Sequence, residues 1–199
     1  MNNDISNIIK TCNKCDLQGQ DYAFPRIKNG NGKKIMFIGE APGKTEAKYH
    51  LSFIGKSGQE LDRWIKYMNV DNYYITNVVK HRPFENDKDI PPTEEQINSC
   101  KLYLFDEILI YNPDFIVLLG NSALKSFKIS GGVTKIIPIY LEKKHFYSIE
   151  NFDNKIMNIR IFVLFHPSYA LRQYNMDENF DLKLVGYLDK LKILFHPNI

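Results

Sequence analysis

The sequence predicts an α/β fold: a three-layer α/β/α sandwich around a central, mainly parallel, four-stranded sheet. Three observations carry this. Short apolar runs end in glycine or histidine, as buried strands do. Stretches with helical spacing separate them, and strand–helix–strand alternation argues for a parallel sheet covered on both faces. The 199 residues suffice for one well-buried domain and are few for two, so residues 1–199 are expected to form a single domain.

Residues 1–11 and 27–34 read as polar lead-in and turn. Ile35-Met36-Phe37-Ile38, closed by Gly39, is the first buried strand. Leu61, Trp64, Ile65 and Met68 then fall at i, i+3, i+4 and i+7, one face of a helix. The β-formers from Tyr73 to Thr76, with Val78 and Val79, give the second strand. A long helix opens at Pro91-Pro92-Thr93, with Thr93 and Gln96 in capping-box spacing, and buries Ile97, Cys100, Leu104, Ile108 and Tyr111. Pro113 ends it. Phe115–Leu119 is the third strand, followed by a short helix near Ser122–Phe127. Residues 134–148 read as β structure or loop, Ile159–Phe165 as the fourth strand, and Leu184, Leu188, Leu191 and Phe195 as the stripe of a terminal helix.

Composition narrows the function classes. Apolar residues make up 44% and charged residues 25%, as in a soluble globular protein, and the formal charge of +3 permits a polyanionic partner without requiring one. The opening MNNDISNIIKTC has no basic segment leading into an apolar one, and no apolar run reaches the roughly 20 residues of a membrane span. A cytoplasmic location with no membrane partner is expected. Three cysteines, two of them as Cys12-x-x-Cys15, argue against a disulfide framework and for a metal site or redox pair. Cys100 alone reads equally well as a small buried apolar residue.

In an open parallel sheet the ligand lies beyond the carboxyl ends of the strands. Those ends lead into residues 39–44, 77–83, 120–122 and 166–172, where nearly all the unusual chemistry of the chain is found. The segment from Gly39 to Thr45 invites a phosphate-loop reading, but a Walker A loop needs four residues between its glycine and Gly-Lys-Thr. Gly39 and Gly43 leave three, one of them Pro42. An asparagine at a strand end, such as Asn77, offers one donor and one acceptor side by side, though it is also a common turn former.

Taken together, these blocks resemble the uracil-DNA glycosylase superfamily in its iron–sulfur branch, family 4. The residues concerned are Gly39-Glu40-Ala41-Pro42-Gly43 with Glu46 and Phe53-Ile54-Gly55-Lys56-Ser57-Gly58; Thr76-Asn77-Val78-Val79-Lys80 with Arg82-Pro83; Leu118-Leu119-Gly120 with Ala123; and His166-Pro167-Ser168 with Leu171-Arg172. The resemblance runs from about residue 12 to 190. It implies a DNA-repair glycosylase that extrudes uracil from uracil-containing DNA, single- or double-stranded, and hydrolyses its N-glycosidic bond to leave an abasic site, acting as a monomer. Phe53 would stack on the base, Asn77 would read its edge, and His166 would donate to O2 as charge collects there. Gly39, Glu40, Ala41 and Glu46 would complete the uracil pocket. Ala41 stands where another branch holds a water-positioning aspartate, so Glu40 would order water or the sugar and Glu46 would guard against a thymine methyl. Leu171 and Arg172 would enter the DNA, and Lys44, Lys80, Arg82 and Arg172 would meet phosphates.

The resemblance also implies a [4Fe–4S] cluster on Cys12, Cys15, Cys100 and a fourth position that here holds His81, not cysteine. Three cysteines and a histidine also suit zinc, and a site that holds no metal is the third alternative. A sister branch that crosslinks to the sugar through a histidine in an inserted loop also carries Lys-His, but residues 82–99 contain no histidine. Ala47, His50 and Ser52 depart from the family's pattern beside Phe53, Glu85, Asp87 and Asp89 make the 84–92 loop acidic, and residues 131–145 lack the usual Arg-Gly. A non-catalytic nucleic-acid-binding or replication-associated module on the same scaffold is the rival reading.

Overall fold

The computed structural model describes residues 3–142, 145–150 and 156–197. The chain runs α1 (Asn3–Lys10), β1 (Arg26–Lys28), β2 (Ile35–Gly39), α2 (Lys44–Tyr49), α3 (Lys56–Tyr67), β3 (Tyr73–Asn77), β4 (Phe84–Glu85), β5 (Lys88–Asp89), α4 (Glu94–Tyr111), β6 (Phe115–Leu119), α5 (Asn121–Ser126), α6 (Val133–Glu142), β7 (Phe146–Glu150), β8 (Ile156–Leu164), α7 (Pro167–Gln173) and α8 (Phe180–Phe195). Among the described residues no helix is long and apolar enough to cross a membrane.

The sheet has six strands in the order β1-β3-β2-β6-β8-β7. The four expected strands form its parallel centre: β2 pairs with β3 and β6, and β6 with β8. Two antiparallel strands extend it, β1 beside β3 and β7 beside β8. Helices on both faces complete the α/β/α sandwich. The apolar runs are continuous because the central strands are covered on both sides; residues 35–38 and 116–119 are at most 1% exposed.

The helix signals map onto real ends. Leu61, Trp64, Ile65 and Met68 are all buried. Thr93 accepts from the Gln96 backbone N–H while the Gln96 side chain accepts from the Thr93 N–H, a complete capping box. Asn112, left-handed at φ 52°, ends α4 just before Pro113.

Of residues 134–148, expected as β or loop, 146–148 lie in strand β7, but those up to Glu142 belong to the helix α6, with Pro138 inside it. Their β-branched residues and the proline mimic a strand, but Val133, Ile136, Ile137 and Leu141 repeat at helical spacing and are buried. Likewise α1, Ile27 and Lys28 of β1, and α7 occupy stretches read as lead-in, turn or motif alone.

The chain passes from β2 to β3 on one side and, two strands later, from β6 to β8 on the other. The crevice between the ends of β2 and β6 is therefore the topological switch point where such sheets take ligands. Register aligns those ends, with Gly39 opposite Asn77 and Leu119 opposite Leu164.

Candidate active site

Beyond the strand ends lies a cavity of about 320 Å³ whose walls include Glu40, Ala41, Glu46, Phe53, Asn77 and His166. Phe53, Asn77 and His166 thus come from three separate segments to one hollow. The Phe53 and His166 rings are 5.8 Å apart between centroids and tilted by 40°. Gly39 makes the convergence possible. A Cβ there would lie 2.3 Å from Phe53 Cζ and 2.7 Å from Asn77 Oδ1. Only a residue without a side chain lets ring and amide share this floor.

Phe53 sits in a left-handed backbone conformation, φ 56°, which is costly for a bulky residue. The surrounding loop holds it there. Glu46 Oε1 accepts from the backbone N–H groups of Ile54 (3.1 Å) and Gly55 (2.7 Å), and Ser52 N–H donates to Phe24 O. Glu46 is therefore a loop clamp as well as a piece of wall. At the next strand end Gly120 has φ 87°, and a Cβ there would meet His166 Cβ at 2.9 Å. Glycine allows β6 to turn and the imidazole to approach.

Asn77 is 2% exposed. Its Nδ2 donates to Ser52 Oγ at 3.4 Å, a long bond, and its Oδ1 is buried with no hydrogen-bond partner in the described structure. Buried amide oxygens are nearly always satisfied, so such an acceptor at a cavity wall suits an incoming N–H donor.

His166 caps α7, and its Nδ1 accepts from Ser168 N–H (3.2 Å), with Ser168 Oγ at 2.8 Å. An Nδ1 that accepts leaves the ring proton on Nε2. Burial, helped by the Arg172 cation, pulls the imidazole down to about 4, so it is neutral at pH 7. Glu40 accepts from Ser122 Oγ at 2.5 Å, tying the loop after β2 to the helix after β6 across the crevice.

The DNA-contact candidates divide. Arg172 is exposed and lines a second, adjoining cavity of about 650 Å³, while Leu171 beside it is half-buried. Arg82 is mostly enclosed, with Nε on Asp89 (2.6 Å) and Nη1 by Asp87 (3.5 Å); Lys44 also pairs with Asp87. The acidic β4–β5 hairpin thus engages both cations at the cavity rim. Lys80 corrects the expectation that it meets a phosphate: at 2% exposure its ammonium faces inward, donating to Glu107 Oε2 (2.6 Å), Thr76 Oγ1 (2.8 Å) and Asn77 O (2.7 Å). Burial pushes the Glu107 carboxyl up against the pull of that ammonium.

The thiols gather at another corner. Cys100 is buried, Cys12 and Cys15 are half-buried, and each of the latter acts electrostatically on Cys100. The Lys80 backbone hydrogen-bonds Cys100, which puts the neighbouring His81 at the same corner. Burial pulls His81 down, leaving a neutral imidazole, the form that ligates metals. The donor set fits a soft metal or cluster, although among the described residues no three His, Cys, Asp or Glu side chains close to a ligating group.

The supporting roles of several side chains have no signal in the sequence: Ser122 under Glu40, Ser168 under His166, Ser52 beside Asn77, and Glu107. Lone serines carry no periodic signal. Ser122 and Ser168 do lie in the strand-end segments that the fold marks out.

The model of the uracil DNA glycosylase superfamily matches residues 27–191. A type-4 uracil-DNA glycosylase of Archaeoglobus fulgidus is 30% identical over 189 residues, covering 93% of this chain and 92% of that protein. The type-4 enzyme of Sulfurisphaera tokodaii is 36% identical, with 83% and 74% covered, and that of Thermotoga maritima 34%, with 84% and 82%. This chain belongs to the uracil-DNA glycosylase superfamily.

Proposed function

We propose that the chain excises uracil from DNA with Phe53, Asn77 and His166 as its recognition and catalytic groups. The carrying observation is the shared cavity, walled by all three, in which the buried Asn77 Oδ1 is unpartnered. A base inside a stacked duplex cannot be attacked, so the nucleotide must swing out into such a hollow. Phe53 gives the ring an apolar face, worth about 1–3 kcal/mol for a stacked base. Asn77 Oδ1 accepts from N3–H and Nδ2 donates to O4, a pattern that cytosine with its N4 amine does not match.

As C1′–N1 opens, its electron pair leaves with the ring and negative charge gathers on O2. A neutral imidazole donating through Nε2–H stabilises this charge more than it stabilises bound substrate, which is what lowers a barrier. Water adds to C1′. Glu40, fixed by Ser122, is the carboxylate at the wall that orients it. Of the four cations expected to meet phosphates, Arg172, exposed beside the adjoining cavity, is the one with no ion pair among the described residues.

The test is direct. The protein is incubated with a single strand containing one uracil, and abasic sites are then cleaved with alkali. Strand breaks confined to the uracil position are expected; none at any protein concentration would favour a binding module without catalysis.

Cys12, Cys15, Cys100 and His81 are the residues that would hold a [4Fe–4S] cluster, with zinc as the other metal that suits them. When bound, the group would pin the segment around Cys12 and Cys15 to α4 and to the turn after β3. A brown protein with broad absorption near 400 nm is expected, bleached by His81→Ala; colourless protein with stoichiometric zinc would decide for zinc.

A further inference from the structure

Asn77 must aim two polar atoms at a ring edge, yet its own side chain is loosely tied. One bond is 3.4 Å long and the other atom has no partner. Its aim therefore comes from the backbone. β3 ends at Asn77, and the chain bends through 78–80. The Asn77 carbonyl takes its hydrogen bond from Lys80 Nζ, at 2.7 Å, and the same ammonium grips Thr76 one residue earlier. Glu107, wholly buried on α4, receives both the Lys80 ammonium and the Thr76 hydroxyl on Oε2. A buried ion pair is a weak means of adding stability, since desolvation offsets much of its attraction. Fixing one geometry is the better-supported use.

We propose that Lys80, clamped by Glu107, is a positioning residue for base recognition: it locks the carbonyl end of β3 and so sets the angle at which Asn77 presents its amide to the cavity. The inference rests on Asn77 being the base reader. It assigns to an inward lysine a role in selectivity where a surface role in DNA binding was expected.

Wild type, Asn77→Ala, Glu107→Gln and the double variant Lys80→Met/Glu107→Leu are compared. The measurements are uracil excision from a single strand, inhibition by free uracil, affinity for an undamaged strand of equal length, and thermal unfolding. The double variant removes both charges at once and leaves none buried alone. Its kcat/KM and its sensitivity to free uracil are expected to fall together by about 10–100-fold, because misplacement by an ångström costs on that scale. Affinity for the undamaged strand should stay within about twofold of wild type, since no phosphate contact is lost. Glu107→Gln keeps the shape and one acceptor oxygen but not the counter-charge, and a smaller loss of about 3–10-fold in the same two quantities is expected.

A folded variant of either kind with wild-type excision and uracil inhibition, alongside an impaired Asn77→Ala, overturns the positioning role and leaves the reader in place. Equal loss of undamaged-strand binding also overturns it, since a general structural defect would do that. If the double variant does not fold, Glu107→Gln decides alone. If Asn77→Ala itself excises and binds uracil normally, the assignment of the reader fails first.

Discussion

Asn77→Ala is expected to lower kcat/KM for uracil excision by about 10³-fold or more, because a site built to hydrogen-bond its substrate leaves buried polar groups unpaired when one side is missing. Truncation removes the donor for O4 and the acceptor for N3–H together, and among the described residues Ser52 Oγ is the amide's one side-chain hydrogen-bond partner. Affinity for strands without uracil should not change, since Asn77 is 2% exposed at the bottom of the cavity. Thermal stability should not fall with activity. In the free protein Oδ1 is buried without a partner, and a buried unsatisfied polar atom costs about 1–3 kcal/mol. Alanine removes that cost, so a melting temperature equal to or above wild type, with excision nearly abolished, is the expected pair of results. A large drop in melting temperature would mean that the amide serves the fold and not the base. Asn77→Asp should lose excision similarly, because a carboxylate offers O4 an acceptor in place of a donor.

The sequence makes the centre of the sheet legible because burial on both faces writes continuous apolar runs that need no partner to interpret. Residues 35–39 and 115–119 carry that signature, and both are strands. The edges are harder. β1 is three residues, Arg26–Lys28, with a half-buried to exposed pattern, so neither apolarity nor alternation marks it. α6 hides behind Pro138 and its β-branched residues, and only packing against β8 and α8 decides for helix. In the site, the strand-end rule finds Asn77 and His166 without knowledge of where they point. It cannot foresee that Phe53 reaches them, because this depends on a left-handed backbone held by Glu46 eight and nine residues away on the donor side. Lys80 shows the limit of charge as a surface signal. Its fate is set by Glu107, 27 residues further on and one turn from Leu104 on the inner face of α4, and the pairing of two inward charges follows from the packing of α4 under β3.

His166→Ala is expected to reduce kcat by about 10²–10³-fold, the usual cost of removing one donor aimed at developing charge. The loss should fall on kcat more than on KM, since the oxygen becomes a strong acceptor only as the bond opens. The pH dependence tests the same group by a second route. Because the folded imidazole titrates near 4 and the ordinary value is 6.5, the unfolded chain binds a proton between these values that the folded chain refuses. Stability from this residue is therefore complete above about pH 6.5, declines as pH falls, and stops declining near 4; its span is on the order of 3 kcal/mol. His166→Ala should remove that component of the wild-type profile, so the difference in unfolding free energy between the two proteins narrows or reverses as pH drops from 7 to 4.5. Catalysis should keep its imidazole-dependent limb low for the same reason. Protonation of Nδ1 would set two donors face to face, ring N–H against Ser168 N–H, and the cap that orients the ring would open. An activity profile whose histidine limb lies near pH 5 or below supports a neutral donor built in by burial. A limb near 6.5 that vanishes in His166→Ala would show an imidazole in ordinary contact with water, and such a ring would have no fixed Nε2–H to offer the departing base.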